Sequence, residues 1–240
     1  MGKDFDIRLD AEVPASPEQV WDAIATGPGI SSWFIGRTEV DGATVRTSFG
    51  DGWIPTGTVT ASDAPHRLAY GSAAGPDGRF VAYEYLIEGR AGAATVLRAV
   101  TSGFLPGDDW GDEFEAMRYG TELFFKTLLQ CLEWFPGRTA TPVTAFGPQV
   151  SDWPRTWRHL YAALGLSPAP RAGDPVRGEP IGDGVVYFVN PHTLGIRTPD
   201  ALYRFLRGRH GAMVAGHALF APADTAEWQP FLDSLDATDS

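Results

Sequence analysis

Apolar and polar residues alternate over residues 5–13, with Phe5, Ile7, Leu9 and Ala11 on one face and Asp6, Arg8, Asp10 and Glu12 on the other. That is the period of a strand buried on one side. Ser16-Pro17-Glu18-Gln19 then offers an N-cap, a proline at the first helical position and acidic or amide groups in the first turn, ahead of Val20, Trp21 and Ile24. This pattern predicts a short helix. Gly27-Pro28-Gly29 reads as its end, with one further turn over residues 30–34 carrying Trp33 and Phe34. Strand-length runs follow at 38–40, 44–49, 56–62, 67–71, 79–88 and 94–102, with corners at Asp41-Gly42, Asp51-Gly52, Pro76-Asp77-Gly78 and Gly89 to Gly92. Such short corners favour an antiparallel meander over crossover units. Within 79–88 the apolar face of Val81, Tyr83, Tyr85 and Ile87 is expected to point inward, and Glu84 and Glu88 outward.

From residue 109 the period changes. Trp110, Phe114, Met117, Thr121, Phe124, Leu128, Cys131 and Phe135 recur at steps of four and three, which predicts a long amphipathic helix. Asp108, Asp109, Asp112, Glu113 and Glu115 crowd its start, where the helix dipole favours negative charge. They lack the alternating ligands and glycine of a calcium loop, so helix capping is the reading adopted. Pro136-Gly137 stops the helix, and 138–144 reads as a linker.

The tail predicts a capped helix over 151–164 with Trp153, Trp157, Leu160 and Leu164 on one stripe, then an exposed loop over 167–180 rich in Pro and Gly. A strand at 185–189, a hairpin partner at 192–197, a helix at 199–206 and a last helix at 227–235 complete it, with 212–220 open to either assignment. The division implied is residues 1–138 as one domain and 139–240 as a small α+β domain or extension.

Composition narrows the function classes. A formal net charge of −11 with no basic run argues against a nucleic-acid or anionic-membrane surface, both of which need clustered Lys and Arg. Cys131 is the one cysteine, so neither an intrachain disulfide nor a thiolate metal cage is expected, and a reducing, cytoplasmic setting follows. No stretch approaches the ~18 apolar residues of a membrane span, and the start of the chain is charged and alternating. The histidines His66, His159, His192, His210 and His217 show neither HExxH nor His-x-His spacing, so no metal is expected. Phosphate loops, dinucleotide fingerprints and Gly-x-Ser-x-Gly elbows are lacking too, and no cofactor is expected.

Three stretches carry a resemblance: AEVPASPEQVWDAIATGPGISSWF near the start, GTVTASDAPHRLAYG in the middle, and TVLRAVTSGFLPGDDWGDEFEAMRYG entering the long helix. In their order and spacing they resemble the START-like or SRPBCC (Bet v 1-like) superfamily, and most nearly the family named for activators of the Hsp90 ATPase. The resemblance spans residues 5–135 and implies an α+β helix-grip fold, a curved antiparallel sheet around a long C-terminal helix. It leaves the last hundred residues unassigned. Many relatives have a glycine-rich entry where this chain has Phe49-Gly50-Asp51-Gly52-Trp53, and a tryptophan in the long helix where it has Tyr119-Gly120-Thr121. Ligand identity is therefore not carried over.

Such a fold leaves a gap between sheet and helix, and that gap is the expected pocket. The candidate lining is Trp33, Phe34, Phe49, Trp53, Tyr70, Tyr83, Tyr85, Phe114, Met117, Thr121 and Phe124. Tyr83 and Tyr85 are singled out because a buried phenol needs a hydrogen-bond partner. Gly120, mid-helix, either lets a strand approach closely or leaves room for a ligand, and close packing is the simpler reading. Cys131 reads as an inert core thiol and no catalytic residue is assigned. The leading expectation is a hydrophobic small molecule held in the cavity. A polyketide cyclase or hydratase-like enzyme and a chaperone-modulating module are the alternatives, with a protein partner or homodimer left open.

Overall fold

The computed structural model describes residues 2–50, 52–90, 94–108, 110–208, 211–222 and 225–235, with the side chain of Trp53 excepted. The chain divides into two compact units, Met1–Thr139 and Ala140–Ser240.

In the first unit β1 (Lys3–Val13) leads into α1 (Pro17–Ala25) and α2 (Gly27–Ser31). The predicted cap forms as a complete box. Ser16 Oγ accepts from the Gln19 N–H at 3.3 Å, and Gln19 Oε1 accepts from the Ser16 N–H at 2.8 Å. One boundary differs from the sequence reading. Gly27-Pro28-Gly29 opens α2 rather than closing α1, because Thr26, in extended geometry, ends the first helix and also caps the second by accepting from the Gly29 N–H at 3.0 Å. Pro28 then falls in the first turn, where its missing N–H costs nothing.

The sheet comprises β1, β2 (Arg37–Val40), β3 (Thr44–Phe49), β4 (Gly52–Trp53), β5 (Gly57–Asp63), β6 (Arg67–Ser72), β7 (Phe80–Gly89) and β8 (Thr95–Leu105). Its strands run antiparallel in the order β1-β8-β7-β6-β5-β3-β2, with the unforeseen two-residue β4 beside β3. The corner residues Asp51, Ala91 and Gly92 lie outside the described residues. α3 (Trp110–Trp134) packs on β1, β8 and α1. This strand order with a long helix laid on it is the helix-grip architecture, so the first unit is α+β as expected.

The long helix is unevenly covered. No described residue of its first half is buried, whereas Leu123, Phe125, Thr127, Leu128, Cys131 and Leu132 are. Its N-terminal end is tied to the loop before β7 by Arg79 Nη1, which donates to Glu113 Oε1. That contact gives one member of the acidic cluster a partner besides the helix dipole; Asp109 is outside the described residues. Leu105 packs with Phe5 and Ile7, against which Leu9, Val81, Trp110, Phe114 and Met117 also lie.

The second unit departs more from its sequence reading. It is a six-stranded antiparallel sheet of β9 (Thr141–Gln149), β10 (Pro175–Val176), β11 (Gly184–Asn190), β12 (Thr193–Arg197), β13 (Ala201–Arg207) and β14 (Ala212–Leu219), in the order β10-β11-β12-β13-β14-β9. Two helices accompany it, α4 (Trp153–Ala163), capped by Asp152, and α5 (Trp228–Ser234). The predicted helix at 199–206 is the strand β13. The second half of the predicted linker is the start of β9, and the supposed exposed loop at 167–180 contributes β10 and the buried Val176. Burial explains the first error: Leu202, Arg204 and Leu206 are buried on one face of β13, as are Ala201 and Phe205 on the other. A strand covered on both faces loses the period of two that identifies it.

Candidate functional site

The sheet register places side chains in rows across the concave face. Tyr70, Tyr83, Thr101 and Ile7 are successive partners across β6, β7, β8 and β1, and Leu68, Tyr85, Ala99 and Leu9 form the next row. Where these rows face α3, a cavity of about 190 Å³ remains. From the sheet it is lined by Tyr83, Tyr85, Ala99 and Thr101. Met117, Gly120, Thr121, Phe124, Phe125 and Leu128 line it from the helix, and Trp33 and Phe34 from the segment after α2.

Seven of the expected residues thus meet around one space: Trp33, Phe34, Tyr83, Tyr85, Met117, Thr121 and Phe124. Three others sit elsewhere. Phe114 packs on Phe5 and Trp110, with ring centroids 6.0 and 6.5 Å away, because it falls a turn too early on the helix. Tyr70 is one strand too far along the row and backs the wall, its ring 5.2 Å from that of Tyr83. Phe49 is half-buried at the end of β3, away from the lining. The side chain of Trp53 lies outside the described residues. Ala99, Thr101, Phe125 and Leu128 were missed as lining. Alternation along β8 places Leu97, Ala99 and Thr101 on one face, and that signal points to the first two of them. Nothing local marks Phe125, which the helix turn brings round beside Thr121.

Gly120 shows why space exists. A methyl built there meets no atom within 4 Å, so close packing, the simpler sequence reading, does not explain it. The position is open because the cavity lies beside it. Trp33 is 3% exposed and held in place, its indole N–H donating to the Ala23 carbonyl at 2.9 Å and its ring edge-on to Tyr85 at 6.4 Å. Phe34 rests on Phe124 at 4.8 Å. Ring pairs of this kind contribute ~0.5–1.5 kcal/mol each beyond area burial, enough to fix this wall.

The lining contains no carboxylate, histidine, lysine or cysteine among the described residues. Its ionisable groups are phenols. Burial pushes Tyr83 up to about 12 and Tyr85 higher still, and Tyr70 behind them is raised well above its usual value, by burial first and then by its phenol neighbours. All three are neutral hydrogen-bonding groups near pH 7. The Tyr70 ring lies stacked 6.4 Å from that of Tyr85, so the phenols of the wall crowd together away from water.

A second hollow of about 300 Å³ lies on the other side of Trp33, among Asp22, Thr26, Ser32, Cys131, Phe135 and Arg138. The Cys131 thiol there donates to the Ser32 carbonyl at 3.0 Å, in keeping with an inert buried thiol. His66 is exposed, and the His192 N–H donates to Asn190 Oδ1 at 3.0 Å in a turn; His210 is outside the described residues. Among the described residues no three His, Cys, Asp or Glu side chains group as a metal site, and no helix is long and apolar enough to cross a membrane.

No family model matches the chain, and no curated protein matches it. Among solved structures it is similar to the Aha1 dimer from Colwellia psychrerythraea, at 20% identity over 54% of this chain and 96% of that one, with a TM-score of 0.44. MLL2253 from Mesorhizobium loti is similar at 20% identity, covering 53% and 96%, with a TM-score of 0.45. DynU16, from the dynemicin biosynthetic locus, is similar at 22% identity over 92% of this chain and 90% of its own, again with a TM-score of 0.45.

Proposed function

We propose that the first unit is a binding domain for a hydrophobic small molecule held between β7, β8 and α3. The observation that carries this reading is the open space at Gly120. A helix interior tolerates glycine at a cost of roughly 1 kcal/mol relative to alanine, and here nothing nearby requires its absence of a side chain except the cavity itself. The wall is largely aromatic and apolar, with hydroxyls on Tyr83, Tyr85, Thr101 and Thr121. That is the usual make-up of a site that binds by burial and orients by a few polar contacts. A cyclase or hydratase reading needs a group that moves a proton near neutral pH. The phenols present are held protonated by burial, so binding is the better-supported function.

The test is a thermal-shift and native mass-spectrometry screen of apolar compounds against the wild type and Gly120→Leu, which fills the open position. Retained ligands that stabilise the wild type and lose at least about tenfold in affinity in the variant are expected. Ligands unaffected by Gly120→Leu would place binding outside this cavity and end the proposal.

A further inference from the structure

The size, charge and polarity of the cavity narrow what it can hold. Resting on the binding reading above, we infer that the ligand is an uncharged, single-ring aromatic molecule bearing an oxygen acceptor, and that Trp33 is the wall that sets this size limit.

Size comes first. A dry apolar cavity of roughly 150 Å³ accommodates benzene, and drug-sized ligands occupy roughly 300 Å³ or more. At about 190 Å³ the space suits one substituted ring rather than a fused polycycle or a long acyl chain. The boundary responsible is identifiable. Trp33 lines both this cavity and the 300 Å³ hollow, and its hydrogen bond to the Ala23 carbonyl at 2.9 Å fixes the indole where the two share it. A smaller side chain at this position would join the two spaces.

Charge comes second. No cation lines the cavity among the described residues. Arg79 pairs with Glu113 and Asp77, Arg118 pairs with Glu122 at 3.1 Å, and Lys126 of the same helix is exposed and outside the lining. A ligand carboxylate would leave water without a counter-charge, which is costly. The same aversion to negative charge holds the lining phenols in their neutral form. Polarity comes third. The hydroxyl-bearing side chains Tyr83, Tyr85, Thr101 and Thr121 line the space, so the site offers donors that a carbonyl or hydroxyl oxygen on the ligand can take.

The test titrates four probes by calorimetry: acetophenone, benzoate, 9-anthracenemethanol and palmitate. Acetophenone is expected to bind with a Kd of roughly 0.1–1 mM, in line with the limit on affinity for so small a ligand. Benzoate should bind at least about tenfold more weakly. Gly120→Leu should abolish acetophenone binding. Tyr85→Phe, which removes one lining hydroxyl and keeps the ring, should weaken it by about fivefold. Trp33→Phe, which keeps an aromatic core residue, should admit 9-anthracenemethanol, which the wild type excludes. Failure of that gain overturns the assignment of Trp33. If palmitate or 9-anthracenemethanol binds the wild type more tightly than acetophenone, and Gly120→Leu abolishes it, the ligand class inferred here is wrong while the cavity remains a binding site. If no probe, and no compound of the wider screen, binds in a way sensitive to Gly120→Leu, both readings fall.

Discussion

The two units build antiparallel sheets with helices on them, yet the first leaves a cavity between sheet and long helix where the second gathers its described side chains into a buried cluster. In the first, Ala99, Gly120 and Thr121 stand where larger side chains would close the gap, and the rings of Trp33, Tyr83, Tyr85 and Phe124 frame it. In the second, Trp157, Leu160 and Leu164 of α4 and Trp228 and Leu232 of α5 join Leu194, Ile196 and Phe205 of the sheet in one dense cluster. Both units also bury polar groups in their frameworks. In the first, Thr38 bonds Thr47 at 2.8 Å and the Thr95 hydroxyl donates to the Ala15 carbonyl at 2.6 Å. In the second, where the β13-β14 register passes from Leu202 opposite Ala218 to Phe205 opposite Ala215, the Arg204 N–H donates to His217 Nδ1 and Arg204 Nε donates to the Gly216 carbonyl. With Nδ1 accepting, neutral His217 carries its proton on Nε2, and its ring packs at a steep angle to Trp228, centroids 4.0 Å apart.

The largest expected effect is in the buried cluster of the second unit. Phe205→Ala, at a fully buried position, should destabilise by about 3–5 kcal/mol, and Phe124→Ala, half-buried beside existing space, by clearly less. Denaturant unfolding of both variants measures this, and equal losses would break the comparison. Next come the glycines. A methyl at Gly195 collides with the Tyr187 ring, so Gly195→Ala should cost about 1–3 kcal/mol in the same assay.

A pH effect follows from His217, whose pKa is driven well below its usual value by burial first and then by the neighbouring Arg204 charge. Because its pKa is lowered on folding, the unfolded chain takes up this proton first. Stability should therefore fall as pH drops below about 6.5, by about 1 kcal/mol per pH unit, until the folded-state pKa is reached. His217→Gln should remove that part of the slope, and an unchanged slope would show that the imidazole is not held neutral. Smallest is Gly120→Ala. It should raise stability by about 0.5–1 kcal/mol, since the methyl enters open space and improves helix propensity. A loss instead would mean that the space at Gly120 is already filled.

The first unit was legible because most of its elements have one wet face. β1 buries Phe5 and Ile7 and exposes Asp6, Arg8 and Asp10, so its period of two survives in the sequence. The same holds for α1, whose cap and proline are local signals. β13 and β14 bury both faces, and the resulting runs ALYRFLR and AMVAGHAL carry no such period. Neither run by itself distinguishes a buried strand from a helix. The site was legible in part. Tyr83 and Tyr85 followed from strand alternation, and Met117, Thr121 and Phe124 from the helical repeat. Phe49, Tyr70 and Phe114 have equally apolar settings but lie one strand or one turn away from the space.

The sequence by itself determined the order of elements in the first unit, the caps, the long amphipathic helix and the aromatic supply of the cavity wall. These depend on contacts within a few residues and on which face of each element is apolar. Only the tertiary structure decided that the space at Gly120 is open, that Trp33 borders two hollows and that β13 is a strand buried on both faces. Each of those depends on how distant side chains share volume, and hydrophobic pattern records which residues are buried without recording what they are buried against.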